Sequence, residues 1–382
     1  MRIQNKYDLD IFVDNLNLFE TPGCVLMKAD IWEAINNPIP TCKLEMTVPI
    51  GWIDDRSLVD GSLIKIHLKS KDYNFDESYL FRVFNIEKLT LAQEFVHVLV
   101  DGVLDFYPGY RSGNIYNSCS QTSHIFKTIA DQNGLKSDID NTNDTQLWVA
   151  GENSLYNFMT SMSQYAWADE TSAMFWCFDR QKRLLYKNLT ALFRNRSDKI
   201  WKFVQTSLPS VEKREFSYST VQGSLQSGTN NIRNEGYGGS DSYFSLIDYK
   251  NVDFSAKKVV AESKILNISK ELSQGLAQQF FPFDIGNFHK NYYTAYKQNK
   301  RILATYSSYL ILRTEFLQAY RLGQIVSFEY TDSMDSKNKL KALSGTFMID
   351  AIHVIITTAA IKSNIELVMQ GLNGFTSVQE TY

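Results

Sequence analysis

The feature that most constrains this chain is a run of period-two text between Thr41 and Pro108. Apolar and polar residues alternate through CKLEMTVP, SLIKIHLKS, SYLFRVFNIEKL and EFVHVLVDGVLDF, punctuated by turn-like DDRSLVDG and SKDYNFDE. Successive strand side chains point to opposite faces, so this text predicts a series of antiparallel strands. In SLIKIHLKS the dry set is Ile64, Ile66 and Leu68, and the wet set is Leu63, Lys65, His67 and Lys69. Sheets of this kind bury their dry face by closure or by stacking, which predicts a barrel or a sandwich.

Between Asn114 and Arg194 the period lengthens. Ile125 and Ile129, flanked by Phe126 and Ala130, predict a short helix with Ser120 to Ser123 as capping candidates and Gly134 as the stop. Leu155, Phe158, Met159, Met162 and Ala166 form the stripe of a second helix that starts behind Asn153. AMFWCF and RLLYKNL, joined by Asp179-Arg180-Gln181-Lys182, predict a hairpin. The segment reads as a compact α+β insert. Strand-like text returns from Asp198 to about Asn231, and the Gly/Ser/Asn-rich passage from Ser227 to Ser242 marks a loop or a domain joint. Beyond it the text predicts a helix over Asn291 to Ala304 and a strand over Tyr306 to Arg313. Three closing strands follow, at Gln324 to Tyr330, Ser344 to Ile356 and Ile361 to Gln370. In the second of these, Phe347, Ile349, Ala351 and His353 oppose Met348, Asp350, Ile352 and Val354, and parity leaves the buried face open.

A length of 382 residues leaves room for two to three domains at about 150 residues each. Hydrophobic residues at 44% and charged residues at 21% argue against disorder, collagen and coiled-coil arrays. Aromatics at 13% against seven prolines favour half-buried strands and broad contact surfaces. Lys and Arg number 39 against 42 Asp and Glu, a net charge of −3. That balance lacks the basic footprint with which DNA readers neutralise phosphates. Cys24, Cys42, Cys119 and Cys177 are too far apart for a metal knuckle and too few for a disulfide scaffold, so buried thiols in a reducing compartment are expected. The opening MRIQNKYDLD has no apolar run, and no apolar stretch approaches the roughly 18 residues that span a bilayer, so a soluble protein made in a cytoplasm is expected.

Motifs with chemistry are sparse. The text contains no GxxxxGK[ST], GxGxxG, HExxH, CxxC or GxSxG. Gly236-Tyr237-Gly238-Gly239 follows no strand-like text and reads as a loop. Asp138, Asp140, Thr142 and Asp144 alternate as the oxygens of a calcium loop do, but Asn143 holds the sharp-turn position and Val149 the bidentate one, which favours a polar loop. His67, His97, His124, His289 and His353 are scattered without catalytic spacing. Asp54-Asp55 and Asp332/Asp335 read as solvated turns. Lys297, Lys300 and Arg301 interleave with Tyr292, Tyr293, Tyr296 and Tyr306, which reads as a helix with a basic face before a strand.

Three passages, taken in order, resemble the baseplate hub proteins of contractile-tailed bacteriophages, whose fold recurs in the hub portion of type VI secretion spike proteins. The first is GENSLYNFMTSMSQYAWADETSAMFWCFDRQKRLLYKNL, similar to the family's helix, strand, turn and strand. The second is HKNYYTAYKQNKRILATYSSYLILRTEFL, similar to a helix feeding a strand of the second barrel. The third is YRLGQIVSFEYTDS with LSGTFMIDAIHVIIT and IELVMQG. Here Gly323 stands for the turn glycine, Val326 and Phe328 for the next strand, Phe347, Ile349 and Ile352 for the one after, and His353 for the family's histidine. Leu16 to Pro40 and Thr229 to Phe281 have no counterpart in the family.

The resemblance implies a β-rich α+β fold of two tail-tube-like antiparallel β-barrel domains with an α+β insert in the first. Its boundaries would be 1–112 for the first barrel, 113–195 for the insert, 196–230 for strands returning to the first barrel, and 231–382 for the second barrel. It implies a structural protein with no catalytic, cofactor-binding or metal-ligating residues. That protein would form a homotrimeric, pseudo-sixfold ring joining the central spike to the tail tube, in contact with tube-initiator and neighbouring baseplate proteins. DNA would pass through its lumen without specific binding, in a virion tail baseplate assembled in the host cytoplasm. Two alternatives are a carboxylate-dependent cell-wall or polysaccharide-degrading tail enzyme and a carbohydrate-binding tail adhesin.

Overall fold

In the computed structural model the described residues are all but 4–5, 15, 55–57, 71–74, 93, 107–117, 151–152, 170–171, 195–199, 206–212, 225–239, 246–249, 256–279, 285–294, 296–298, 300–305, 316–319, 329–343 and 371–382. The period-two text forms strands as expected. Thr41–Pro49, Leu63–Ser70, Phe75–Ala92 and Phe95–Leu104 pair antiparallel, and Leu63–Ser70 buries Ile64, Ile66 and Leu68. Two strands the sequence reading passed over complete this block. Tyr7–Val13 pairs with Leu63–Ser70, and Val25–Ala34 pairs with Thr41–Pro49. The result is a curled half-barrel of six main strands.

The second block is built on Gly345–Thr357 and Ile361–Gln370, with Tyr306–Glu315, Ile325–Phe328, Trp201–Val204, Glu215–Ser217 and Thr220–Ser224 around them. The strands after the insert were expected to return to the first barrel. They join the second block instead, since Trp201–Val204 runs parallel to Ile325–Phe328 and Thr220–Ser224 runs antiparallel to Tyr306–Glu315. One chain segment closes this ring. Glu215–Ser217 pairs with Trp201–Val204, Tyr218 donates to the Val204 carbonyl, and Ser219 donates to that of Arg313 on the far edge strand. The crossing segment covers part of each open strand edge. Phe203, Phe216, Tyr320, Phe328 and Phe347 fill its interior, with Phe216 and Tyr320 ring centroids 4.7 Å apart.

The two blocks are one sheet of 15 strands, joined where Ala351–Thr357 pairs with Lys28–Ala34. The strand Gly345–Thr357 resolves the parity question left by its sequence. Phe347, Met348 and Ile349 are all buried before Asp350, and after it Ala351 and then the alternating set Ile352, Val354 and Ile356, while a bulge at Asp350 shifts the register against Ile361–Gln370. One extra residue moves every later side chain to the other face.

The insert holds Thr122–Gln132 and Leu155–Tyr165 as helices, over a sheet of Ser137–Ile139, Leu184–Asn188 and Met174–Phe178. Phe126 stacks on Tyr186 at 3.9 Å. Gly134 ends the first helix with φ +63°, while its N–H and that of Leu135 donate to Asp131 and Ala130. That is the double bond pattern of a glycine-terminated helix. The expected helix over 291–304 falls outside the described residues except at Ala295 and Asn299, both helical and buried. The glycines 236, 238 and 239, His289 and the pair Asp332/Asp335 lie outside the described residues altogether, as does Asp55 of the other carboxylate pair. Within the long polar passage, Ser240–Ser245, Lys250–Ser255 and Phe280–Asp284 form a separate three-stranded sheet.

Candidate functional site at the junction of the blocks

The hairpin turn of the insert enters the mouth of the half-barrel. In Val25–Ala34 the dry positions Ala29 and Ile31 are followed by Glu33, a carboxylate where the alternation puts an apolar side chain. Arg180, at the hairpin tip, answers it. Its backbone N–H donates to Glu33 Oε2 at 2.7 Å and its Nη1 to Glu33 Oε1, and both side chains are nearly inaccessible, at 2% and 1%. The guanidinium also lies 5.9 Å from the Tyr79 ring centre and donates from Nη2 to the Tyr320 carbonyl at 3.4 Å. Tyr79 and Glu33 stand on strands three apart in the sheet, so Arg180 spans the opening and reaches the second block as well. Burial pushes the Glu33 carboxyl up, and the Arg180 charge opposes that. Burial likewise disfavours the Arg180 cation, but Glu33, Tyr79 and Asp179 together outweigh it and hold the guanidinium charged.

Polar contacts surround this plug. Asp179 Oδ1 accepts from the Gln181 and Arg183 amides, both at 2.9 Å, which fixes the turn. Lys182 bonds Asp105 at 2.6 Å, Gln181 bonds Glu77, and the Phe178 amide donates to Pro38 at 2.8 Å. Asn299 of the second half ties the insert from the other side. Its Nδ2 donates to the carbonyls of Ser163 and Gln164 at 3.2 and 2.7 Å, supplying donors to the end of helix Leu155–Tyr165, and its Oδ1 accepts from Met174. Sequence reading missed all three residues. Glu33 broke the alternation visibly, whereas Arg180 and Asn299 look like solvated turn and helix residues.

The calcium-like run has a different use. Thr122–Gln132 has no capping side chain of its own at Gln121. Asp144 accepts from the Thr122 amide at 3.0 Å, the Thr122 hydroxyl at 2.7 Å and the Trp167 amide at 3.2 Å, and Thr142 Oγ1 accepts from the Ser123 amide at 3.0 Å. Asp138 and Asp140 each hold the Lys187 ammonium at 2.7 Å. These oxygens face protein donors, and no metal-holding cluster occurs among the described residues.

The strand histidines sit beside carboxylates of neighbouring strands. His67 lies 2.7 Å from Asp76, His97 3.2 Å from Glu45, and His353 2.9 Å from Asp30 with Trp32 against its ring. The expectation of four buried thiols is corrected. Cys42 and Cys177 are buried, Cys24 is half-buried and Cys119 is exposed, on the outer side of the short pair Ser118–Ser120 and Gln146–Trp148. One cleft of about 260 Å³ lies between Pro38, Tyr156, Thr160 and Trp176, and a polar one of about 390 Å³ between Asp105, Lys136 and Lys182. No pair of carboxylates lines either.

The fused blocks and the plugging insert define a class, the β-rich fold of phage tail proteins expected from the sequence. Two solved structures carry it along nearly their whole length. The tail protein from Neisseria meningitidis has a TM-score of 0.57 at 8% identity over 97% of this chain and 99% of its own. The 43 kDa tail protein of prophage MuSo2 from Shewanella oneidensis has 0.58 at 10% identity, over 95% and 98%. No protein-family model and no curated protein matches the chain. At these identities the likeness is one of fold.

Proposed function

We propose that this chain is a structural baseplate hub protein whose three copies form a pseudo-sixfold ring. The observation that carries the reading is the tandem arrangement of two β blocks fused through Val25–Ala34 and Ala351–Thr357. Three such chains present six blocks around an axis, which matches a threefold spike to a sixfold tube. In this reading residues 1–112 and 196–382 form the two tube-like units and 113–195 the insert that fixes one to the other. The pairing of 201–204 and 220–224 with strands of the second block supports assigning 196–230 to it. The ring binds the central spike on one side and the tail tube or its initiators on the other, with other baseplate proteins around it. It resides in the virion tail after assembly in the host cytoplasm, and carries out no reaction.

DNA passes through the lumen without being held. Cations on the wet side of the first block are offset by neighbouring acids, as in Lys28–Asp30, Lys43–Asp101, Lys69–Asp76 and Arg82–Asp105. Paired charge of this kind gives phosphates little net attraction. Light scattering on the full chain, alone and with its spike, tests the proposal. A mass near three times 43.9 kDa and a ring by electron microscopy are expected. A monomer at every concentration, with no ring even when spike is added, refutes it.

A further inference from the structure

The edge strand of the insert leaves one residue without backbone partners. Met174–Phe178 is the outer strand of the insert sheet, and its antiparallel register with Leu184–Asn188 alternates bonded and non-bonded pairs. The Leu189 amide donates to Ala173 and the Asp179 amide to Arg183, so residues 173, 175, 177 and 179 face the partner strand. Met174, Trp176 and Phe178 therefore direct their amides and carbonyls outward. The two flanking positions are taken. Met174 donates to Asn299 Oδ1 at 3.3 Å and accepts from Ser163 Oγ at 3.2 Å, and the Phe178 amide donates to Pro38 at 2.8 Å. Between them, the Trp176 amide and carbonyl have no partner among the described residues.

The cleft of about 260 Å³ lies on this same edge, since Trp176 lines it together with Pro38 and Asn299, the residues that hold the positions on either side. Thr160 lines it with a hydroxyl that is buried and unpartnered. Buried backbone groups are nearly always paired. A one-residue gap in the bonding of a strand edge therefore marks a place for another backbone. The volume falls below the range of about 300–1,000 Å³ that whole small molecules fill, which suits a short stretch of chain. A sugar fits less well, because Trp176 is 5% exposed, with the Tyr156 and Phe178 rings against it, and offers no open face for stacking.

We propose that this cleft captures an extended peptide segment of a partner protein, one residue of which exchanges two backbone hydrogen bonds with Trp176 while Thr160 bonds a neighbouring peptide group. The segment adds a short strand to the insert sheet. Its pairing residue needs an N–H, which excludes proline, and an apolar or small side chain to pass between Tyr156 and Pro38. The two walls belong to the insert and to loop 35–38 of the first block, so a bound segment braces one against the other. Nothing in this assignment requires the ring.

The probes are capped tripeptides, acetyl-Ala-X-Ala-amide, with alanine, valine, leucine, serine or threonine at X. Labelling the backbone nitrogens of the six tryptophans in the full chain makes the Trp176 amide an NMR signal, assigned with Trp176→Phe. The best of the panel should shift that signal and slow its hydrogen exchange roughly two- to tenfold, the weight of one net backbone hydrogen bond. Methylating the nitrogen of X should abolish the effect, because the donor is lost. Thr160→Val should weaken binding roughly two- to tenfold with no loss in the urea midpoint of the free protein. The proposal is overturned if no member of the panel moves the Trp176 signal, whether or not maltohexaose does, or if the methylated peptide acts equally well. The methylated control needs no variant, so it decides the matter even if Thr160→Val misfolds.

Discussion

Replacing Arg180 by alanine should cost more stability than any other single change at the plug. The substitution leaves Glu33, 1% accessible, with one backbone donor and no countercharge, and it empties the space beneath Tyr79 and Tyr320. Removing one partner of a buried pair costs about 3–5 kcal/mol, far above the near-zero median of exposed pairs. For a chain of 382 residues unfolding as one unit, that lowers the melting temperature by about 4–6 °C. Urea denaturation gives the free energy directly, and exchange of the Phe178 amide, which donates to the Pro38 carbonyl, should rise because Phe178 loses its fixed position. Arg180→Lys keeps the charge but not the reach to both Glu33 and Tyr320, and should fall between. The double change Glu33→Gln with Arg180→Met should recover much of the loss, since an apolar replacement of a buried pair is often neutral. An Arg180→Ala protein within about 1 kcal/mol of the original, with unchanged exchange at the Phe178 amide, refutes the clasp.

Other outcomes follow from the same geometry. Asp144→Ala should destabilise by at least about 3 kcal/mol in urea, because it strips partners from the Thr122 and Trp167 amides, the Thr122 hydroxyl and the Gln146 side chain. Calcium or a chelator should leave the melting temperature unmoved, and a calcium-dependent rise would restore the ion-binding reading of residues 138–144. Gly102→Ala should cost about 1–3 kcal/mol by overpacking, since its new methyl would meet Cys42 Sγ at 2.7 Å and Phe81 Cβ at 3.2 Å. On the acid side, Lys69 and His67 hold the Asp76 carboxyl down at about 2, and for Asp30 burial is outweighed by His353 and Lys28. Both are depressed on folding, so their contribution is whole above about pH 4 and drains away as pH falls toward the folded values. Asp30→Asn should flatten that acid limb in a urea titration.

The parts legible in the sequence were those set by local period and local turn chemistry. Ile64, Ile66 and Leu68 announced a half-buried strand, and Leu155, Phe158 and Met162 a helix face, because burial repeats with backbone geometry. What stayed hidden depends on contacts between distant residues. Arg180 sits in a turn whose residues are usually wet, and only the arrival of the turn inside a barrel mouth buries it. The capping role of Asp144 spans 22 residues of sequence, so the alternation of oxygens around it read as a polar loop rather than as a buried cap. Residues 16–40, which no resemblance placed, contain the strand that joins the two blocks. Pairing partners in a mixed sheet are chosen by topology, and the segment 201–224 shows that adjacency in sequence was a poor guide to them.

The separate contacts at the junction amount to one mechanical element. Val25–Ala34 contributes Glu33 to the plug and, through the next residue, the Ile35 amide to the fork where Gly345–Thr357 changes partner from Ile325–Phe328 to Val25–Ala34. The insert supplies Arg180 to Glu33 and Phe178 to Pro38, while Tyr320 and Gly323, on one loop of the second block, contact Arg180 and Ile349. A rotation of one block against the other would have to break a buried ion pair and the backbone bonds at the fork together. Bonds that must fail together make the joint stiff at small displacements and abrupt in yielding. The backbone bonds at the fork alone would allow a hinge, and the buried plug converts it to a weld. If the ring reading holds, the angle between neighbouring tube-like units is then set within each chain, and assembly has only the angle between chains left to determine.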